Sequence, residues 1–202
     1  MAQIVEKEAK FYIRNLEEIE NRIIDQGGKM VQPRTFETNL RFDTHDGALS
    51  ASFQVLRLRE DTRTRLTYKG PADPSSTVSA RPEFEVEISD LDTARAILEA
   101  LGYQVVTIYE KYRAAYDLDK VEISLDEMPF GTFIEIEGPD EEHIKAAAKR
   151  LNLKWENRSA LSYMRLFTHV KKNLNLSMRD LTFENFSDME FEPRHLQLTF
   201  AD

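Results

Sequence analysis

The sequence predicts an α+β fold: an eight-stranded antiparallel β-barrel, closed on itself, with helices packed on the outside. Three observations predict it. About eight stretches of the 202-residue chain read as strands, mostly in hairpin order, and that number is enough to close a small barrel around one small ligand. Period-2 alternation gives most of these strands one apolar face and one charged face. The segments between and after them carry apolar residues at helical spacing, and such stripes must be buried against an apolar sheet face.

The first strand is VEKEAKF, with Val5, Lys7, Ala9 and Phe11 on one face and Glu6, Glu8 and Lys10 on the other. NLEEIENRIIDQGG follows as a helix of about three turns, with Asn15 as N-cap, Leu16, Ile19, Ile23 and Ile24 as its apolar stripe, and Gly27-Gly28 as its stop. MVQPRTFETNLRFDT, FQVLRLRED and RTRLTYKG are three β-rich stretches, broken at Asp46-Gly47 and Asp61-Thr62. PADPSSTVSA is expected to be a loop and the best candidate for mobility. RPEFEVEIS reads as a strand and LDTARAILEALG as an amphipathic helix ended by Gly102.

The second half repeats the theme. YQVVTIYEKYRAAYDL, KVEISLDEM and GTFIEIEG are strands, and helices follow over DEEHIKAAAKRLNL and SALSYMRLFTHVKKN. From Leu174 onward Phe and Leu are scattered without a clean period. The expected organisation is one barrel domain over residues 1–173, with 174–202 as an ordered tail packed on it, over one tunnel opening or against a second chain in a homodimer.

Composition narrows the function. Net charge is −9, which argues against nucleic acid as a partner, because duplex affinity comes largely from neutralising phosphates with Lys and Arg. It leaves room for a small internal basic pocket. No apolar run approaches the ~20 residues needed to span a bilayer and no signal peptide is evident, so no membrane contact and a cytoplasmic location are expected. There are no cysteines, and the four histidines lie far apart in sequence. Any bound metal is therefore a hard cation held by oxygen.

The charged faces carry the functional signal. One parity gives Glu6, Glu8 and Lys10; Arg57 and Arg59; Arg65, Thr67 and Lys69; and Arg81, Glu83, Glu85 and Glu87. The later strands give Lys111 and Arg113; Glu122, Ser124 and Asp126; and Glu135 and Glu137. A single such face is ordinarily the wet side of a sheet. Here the faces are almost entirely ionic, and the opposite faces (Leu56 and Leu58, Val86 and Ile88, Ile134 and Ile136) are the apolar surface available to the helices. The charges then line a lumen, and an ionic lumen is costly unless its charges are paired. Facing carboxylates invite a divalent ion, and the arginines suit phosphate. A triphosphate carrying Mg²⁺ or Mn²⁺ satisfies both sets, because Mg²⁺ prefers a few carboxylates plus phosphate oxygens.

These residues resemble the CYTH domain, or triphosphate tunnel metalloenzymes, a family of class IV adenylyl cyclases, thiamine triphosphatases and inorganic triphosphatases. The signature is ExExK at Glu6-Lys7-Glu8-Ala9-Lys10. RFDT (41–44), LRLR (56–59), LTYKGP (66–71), RPEFE (81–85), KYR (111–113), LDE (125–127) and FIEIEG (133–138) follow in the family's order. The resemblance implies that Lys10, Arg57, Arg59, Lys69, Arg81, Lys111 and Arg113 bind the triphosphate. It also implies that Glu6, Glu8, Asp126, Glu135 and Glu137 are metal-side carboxylates, together with Glu83 or Glu85, which share a parity; Glu6, Glu8, Lys10, Asp126, Glu135 and Glu137 make up the implied catalytic set. Glu87 and Glu122 read better as partners for neighbouring cations, and Tyr103, Tyr109, Tyr112 and Tyr116 as packing residues.

Phosphoryl transfer needs positioning and charge neutralisation more than covalent help, and no Ser-His-Asp or Cys-His nucleophile is apparent. The first reading is hydrolysis of inorganic triphosphate, thiamine triphosphate or ATP. Class IV cyclisation of ATP to cyclic AMP and pyrophosphate is the alternative: LTYKGP and the LDE to FIEIEG run resemble the cyclase-type branch, but the His-Phe pair that precedes ExExK in bacterial cyclases is missing from MAQIVEKEAK. A binding module that turns nothing over is the second alternative.

Overall fold

A computed structural model describes residues 5–71 and 78–202. In chain order its elements are β1 (Val5–Ile13), α1 (Leu16–Asp25), β2 (Lys29–Thr44), α2 (Ala48–Ala51), β3 (Val55–Glu60), β4 (Thr64–Lys69), β5 (Ser79–Ile88) and α3 (Leu91–Ala100). β6 (Tyr103–Leu118), β7 (Val121–Met128), β8 (Gly131–Glu137), α4 (Glu141–Arg150), β9 (Arg158–Ser159), α5 (Tyr163–Leu174), α6 (Phe183–Phe186) and α7 (Pro193–Leu196) complete it.

β5, β4, β3, β2, β6, β7, β8 and β1 are neighbours in that order, and pairing of β1 with β5 joins the ends into a ring of eight strands, every ladder antiparallel. The eight strands are unevenly arranged around the ring, where the sequence reading expected a closed barrel. The joining ladder runs only from Val5–Pro82 to Glu8–Ser79, whereas β2 and β6 pair from Lys29–Asp117 to Thr44–Tyr103 with three register shifts. Beyond Glu8 the free edge of β1 is taken by β9, through Lys10–Ser159 and Phe11–Arg158. A two-residue strand has no periodicity, so it was invisible in the sequence. Of the expected 71–80 loop, residues 72–77 lie outside the described residues, and Ser79 and Ala80 already belong to β5.

The helices form where caps and apolar stripes coincide. Asn15 Oδ1 accepts the Glu18 amide at 3.1 Å to start α1, and the Gly28 amide donates back to the Ile23 carbonyl at 2.9 Å to end it. Ile19 and Ile23 of α1, with Ile144, Ala147 and Ala148 of α4, bury against Phe11, Ile123, Leu125, Ile134 and Ile136 on the outer faces of β1, β7 and β8. Each isoleucine buried this way stabilises the fold by roughly 1.5–3 kcal/mol. α3 covers a second outer patch, packing Leu98 with Leu40, Phe42, Leu56 and Leu58. Val86 departs from the expectation: it is 55% exposed, because the outer face of β5 there is left bare while Ile88 packs beside α3.

The other departure is α5. Its buried Tyr163, Leu166, Phe167 and Val170 pack not on the outside but with Tyr12, Met128 and Phe133, which share the parity of Lys10, Asp126 and Glu135. The inner faces turn aromatic at this end of the ring, and α5 stops it. Leu181, Phe186 and Leu196 from the chain after α5 bury in the same cluster, and the Ala201 amide donates to the Tyr12 carbonyl. No helix of the described residues is long and apolar enough to cross a membrane.

Candidate active site

The ladders carry the charged parity around the ring in rows. Glu8, Glu137, Glu122 and Asp117 are successive cross-strand partners on β1, β8, β7 and β6. The next row holds Lys10, Glu135, Ser124 and Ala115, and the row below it Tyr12, Phe133, Asp126 and Arg113. On the other half, Arg41, Arg57, Thr67 and Glu85 form one row, and Asn39, Arg59, Arg65 and Glu87 another. Lys69 pairs with Glu83, and Arg81 with Glu6. Together these faces enclose a cavity of ≈ 480 Å³, within the range of roughly 300–1,000 Å³ usual for small-molecule sites.

Every site residue singled out in the sequence except Asp126 lines this cavity: Glu6, Glu8, Lys10, Arg57, Arg59, Lys69 and Arg81 from β1 and β3–β5, with Glu83, Glu85, Lys111, Arg113, Glu135 and Glu137. Asp126 is fully buried behind the wall. It accepts two bonds of 2.6 Å from Arg113, one of 3.2 Å from Lys111 and one of 2.6 Å from the Tyr163 hydroxyl. Its oxygens are occupied, so its visible work is to hold two lumen cations in place. Glu135 is engaged similarly, by Lys10 at 2.6 Å and by Arg113. Burial opposes its charge, but Lys10 and Arg113 hold its carboxyl well below the usual carboxylate range.

The two halves of the cavity differ in sign. Glu6, Glu8, Glu122 and Glu137 gather at one side. Burial and then the charges of Glu6, Glu122 and Glu8 push the Glu137 carboxyl up to about 8. Glu6 is also raised, first by burial; Lys69, whose Nζ lies 2.8 and 2.6 Å from its two oxygens, opposes that rise, while the neighbouring Glu83 adds to it. Glu83 shares the same Lys69 at 2.9 Å. Glu85 instead accepts from Thr67 at 2.8 Å and faces Arg57 and Arg65 at 3.7 and 3.8 Å. The two equal-parity carboxylates are thus separated: Glu83 stands with the acidic group and Glu85 with the arginines.

On the basic side, Arg57 donates to the Tyr109 hydroxyl and to Thr67 Oγ1, both at 3.1 Å, and Arg59 to Asn39 at 3.2 Å. Burial, followed by the charge of Arg57 for Arg59 and of Arg113 for Lys111, lowers the affinity of both cations for their protons. Buried Nε donors on Arg41, Arg57, Arg65 and Arg81 have no hydrogen-bond partner. An unpaired buried donor is costly, and the four arginines that carry these donors all line the cavity, where guanidinium groups fit an anion with many oxygens. The acidic side fits a divalent cation of limited protein ligation: no three acidic or histidine groups among the described residues form a ready cage, and Mg²⁺ bound through substrate phosphates needs only one or two carboxylates.

The sequence reading missed several participants. Glu37 is fully buried, 3.5 Å from both Arg59 and Lys111, and these cations overcome its burial to hold it at about 2. Glu37, Asn39 and Arg41 share the inward parity of β2 on the unbroken register from Thr35 to Arg41, a signal present in the sequence. Arg41 lies in the quoted RFDT stretch yet was passed over. Glu122 is corrected from a cation's partner to a member of the acidic row. Tyr109 packs in the core as expected and also lines the cavity, a role the sequence reading did not give it; burial raises its proton affinity, but Arg57, Arg59 and Lys111 outweigh it and bring it down to about 8.

The CYTH domain family model matches residues 5–163. A candidate adenylate cyclase of Vibrio parahaemolyticus is similar in structure, with a TM-score of 0.72 at 24% identity over 82% of this chain and 99% of that one. A Pyrococcus horikoshii OT3 protein is 27% identical, with a TM-score of 0.68 over 79% of this chain and 97% of its own. A candidate adenylyl cyclase of Hippeastrum with a dominant triphosphatase activity gives a TM-score of 0.60 at 21% identity, over 81% and 95%. No curated protein matches the chain.

Proposed function

The chain belongs to the CYTH domain family, and from that premise we propose that its ring binds a triphosphate lengthwise and hydrolyses it with the help of Mg²⁺ or Mn²⁺. The observation that carries the reading is the division of one cavity into an arginine-rich wall and a group of carboxylates, in which burial and then the charges of Glu6, Glu122 and Glu8 push the Glu137 carboxyl up to about 8. A bare polyanion would satisfy the first and a bare cation the second. A metal-bearing triphosphate satisfies both.

In this mechanism Arg41, Arg57, Arg59, Arg81 and Lys111 grip phosphate oxygens, assisted by Lys10, Lys69 and Arg113. Holding the chain straight places the terminal phosphorus in line for water, which is most of what phosphoryl transfer requires. One or two carboxylates from the group Glu6, Glu8, Glu83 and Glu137 would hold the divalent ion; bound there, it would neutralise phosphate charge and lower the pKa of an attacking water. Water then supplies the oxygen, the bridging bond to the terminal phosphorus breaks, and orthophosphate leaves. Asp126 and Glu135 act by fixing Lys10, Lys111 and Arg113, so their role is positioning.

A second reading is attack by the ribose 3′-hydroxyl of ATP on its α-phosphorus with release of pyrophosphate. LTYKGP and the LDE to FIEIEG run, which resemble the cyclase-type branch, favour it. Phosphorus-31 NMR separates the two. Purified protein is incubated with ATP, inorganic triphosphate or thiamine triphosphate, each with Mg²⁺ and then Mn²⁺. Orthophosphate is the expected product; a cyclic phosphodiester signal with pyrophosphate would make it a cyclase. Metal-dependent line broadening without turnover would reduce it to a binding module.

A further inference from the structure

β6 outruns its partner on one side. β2 pairs with it from Tyr103 to Asp117, but β7 reaches only Tyr112–Leu118, so the preceding stretch of β6 has an edge that needs another partner. The chain after α5 supplies one. The Ile108 amide donates to Asp180 Oδ1 at 2.8 Å. The Leu181 amide donates to the Ile108 carbonyl and the Glu110 amide to the Leu181 carbonyl, both at 2.9 Å, and the Phe183 amide donates to Glu110 Oε2 at 2.9 Å. Leu181 itself is fully buried in the cluster that also holds Tyr109.

Tyr109 lies between the two residues tied in this way, and its hydroxyl accepts from Arg57 at 3.1 Å. We propose that Asp180 and Leu181 are positioning residues for the phosphate-binding wall: they hold Ile108 and Glu110 so that the Tyr109 hydroxyl meets Arg57, and through it they fix a guanidinium that grips phosphate. The proposal rests on the reading of the main cavity as a triphosphate site. It assigns a role to residues that lie beyond the CYTH match, which covers 5–163.

Burial of Leu181 alone would dock the segment. The hydrogen bonds add a direction. Successive residues of a strand turn their backbone groups to opposite edges and their side chains to opposite faces, so ties at Ile108 and Glu110 leave Tyr109 paired with Asn39 of β2 and turn its side chain into the lumen. Asp180 replaces a strand carbonyl with a carboxylate, a stronger acceptor, which Arg179 holds at 3.0 and 2.8 Å. The Asn185 side chain donates to the Asp180 carbonyl at 3.0 Å. The strap is anchored at its far end as well, where the Asp202 carboxylate accepts the Arg14 and Asn15 amides at 3.0–3.1 Å.

The test follows Tyr109 ionisation by ultraviolet difference titration without ligand, and inorganic triphosphate affinity by calorimetry without divalent metal. It compares wild type, Asp180→Ala, Asp180→Asn, Tyr109→Phe and the Asp180→Ala/Tyr109→Phe double variant, with folding checked by melting curves. Asp180→Ala should move the Tyr109 ionisation upward from about 8 toward the ordinary value of 10, because the phenol withdraws from its cations. Loss of the Asp180 charge alone would move it down, so the direction separates displacement from simple electrostatics. Triphosphate affinity should fall roughly two- to tenfold, the equivalent of one hydrogen bond. Asp180→Asn keeps an acceptor oxygen and should keep the wild-type affinity. In the Tyr109→Phe background Asp180→Ala should cost no further affinity. A folded Asp180→Ala whose Tyr109 ionisation stays in place or falls, or a loss of affinity undiminished in the Tyr109→Phe background, would overturn the proposal. If Asp180→Ala fails to fold, Glu110→Ala decides: it removes the acceptor of the Phe183 amide, and the same upward shift supports the strap while its absence overturns it. If wild type binds no triphosphate, the reading of the main cavity fails, and the ligand-free titration still decides whether the strap positions Tyr109.

Discussion

Glu8 and Glu137 stand directly opposite each other on β1 and β8, two like charges paired across a ladder on the face that lines the lumen. On the far side of Glu137 the partner is Glu122. Like charges in direct cross-strand pairs destabilise a sheet, and after burial and the charge of Glu6 these two neighbours add to the rise of the Glu137 carboxyl to about 8.

Glu137→Gln should therefore stabilise the protein while weakening its metal response. The folded pKa lies above the unfolded value, so the wild-type group contributes most favourably below about 4.5 and progressively less as pH rises toward 8. The variant's melting temperature should match wild type near pH 4 and exceed it increasingly up to pH 8. A divalent ion must displace this proton, so the Mg²⁺ concentration needed for half activation should fall with rising pH in wild type and lose that dependence in the variant. Equal melting curves at pH 8 would show that the carboxylates are not in conflict.

Arg113 and Arg41 share the cavity wall but should fail differently when replaced. Arg113 holds Asp126 and Glu135 in a buried network, and removing one partner of such a network typically costs about 3–5 kcal/mol. Arg113→Leu should show that loss in urea unfolding. Arg41 has no ion pair within reach among the described residues, and burial, together with Arg57 and Arg81, already weakens its hold on its proton. Arg41→Ala should keep or raise stability while weakening inorganic triphosphate binding roughly 10- to 100-fold, the equivalent of a charged hydrogen bond. A destabilised Arg41→Ala with unchanged affinity would remove it from the site.

The alternation of β1, β3, β4, β5 and β8 was legible because each is short and regular, so a parity list placed Glu6, Arg57, Lys69, Glu83 and Glu135 on one lumen without coordinates. β2 slips register between Met30 and Gln32, between Gln32 and Thr35, and between Arg41 and Phe42, and a slip of one residue exchanges the faces, so its alternation holds only in parts. Glu37 and Arg41 lie inside the unbroken Thr35–Arg41 stretch, where their shared parity was legible. Depth was not legible anywhere. Asp126 and Glu122 share a parity on β7, yet one is sealed behind Tyr163 and the other faces the acidic group, because α5 stops only one end of the ring.

Tyr109 adds a titration inside the arginine wall. Its phenol accepts from Arg57 at 3.1 Å and ionises near 8 because the surrounding cations outweigh its burial. Ultraviolet difference titration should find one tyrosine ionising near pH 8, absent in Tyr109→Phe. Bound triphosphate brings negative charge to the same cations and should move that ionisation upward. A folded pKa below the unfolded value near 10 stabilises the protein above that value and loses its contribution as pH falls through 8, so Tyr109→Phe should lose stability mainly at alkaline pH. A titration unaffected by triphosphate would place the ligand away from Arg57.

Tyr163 ties the helix that stops the ring to the residue that orients the lumen cations. Its hydroxyl donates to Asp126 at 2.6 Å, its ring lies 4.3 Å beneath Lys10 Nζ, and it meets the ring of Phe133 edge-on at 5.2 Å. Burial, then Asp126 and Glu135, pushes its proton affinity well above the ordinary tyrosine value, so it remains a donor throughout the physiological range. Tyr163→Phe keeps the ring and removes the donor, which should cost about 1.5–3 kcal/mol, as for a hydrogen bond to a charged group. Asp126 then retains only Lys111 and Arg113, and any freedom it gains is passed to both. The catalytic rate should fall while its pH profile stays in place, because no titrating group has been removed. A variant that loses less than about 0.5 kcal/mol, below the net worth of a typical hydrogen bond, would show that Arg113 holds Asp126 without help from α5.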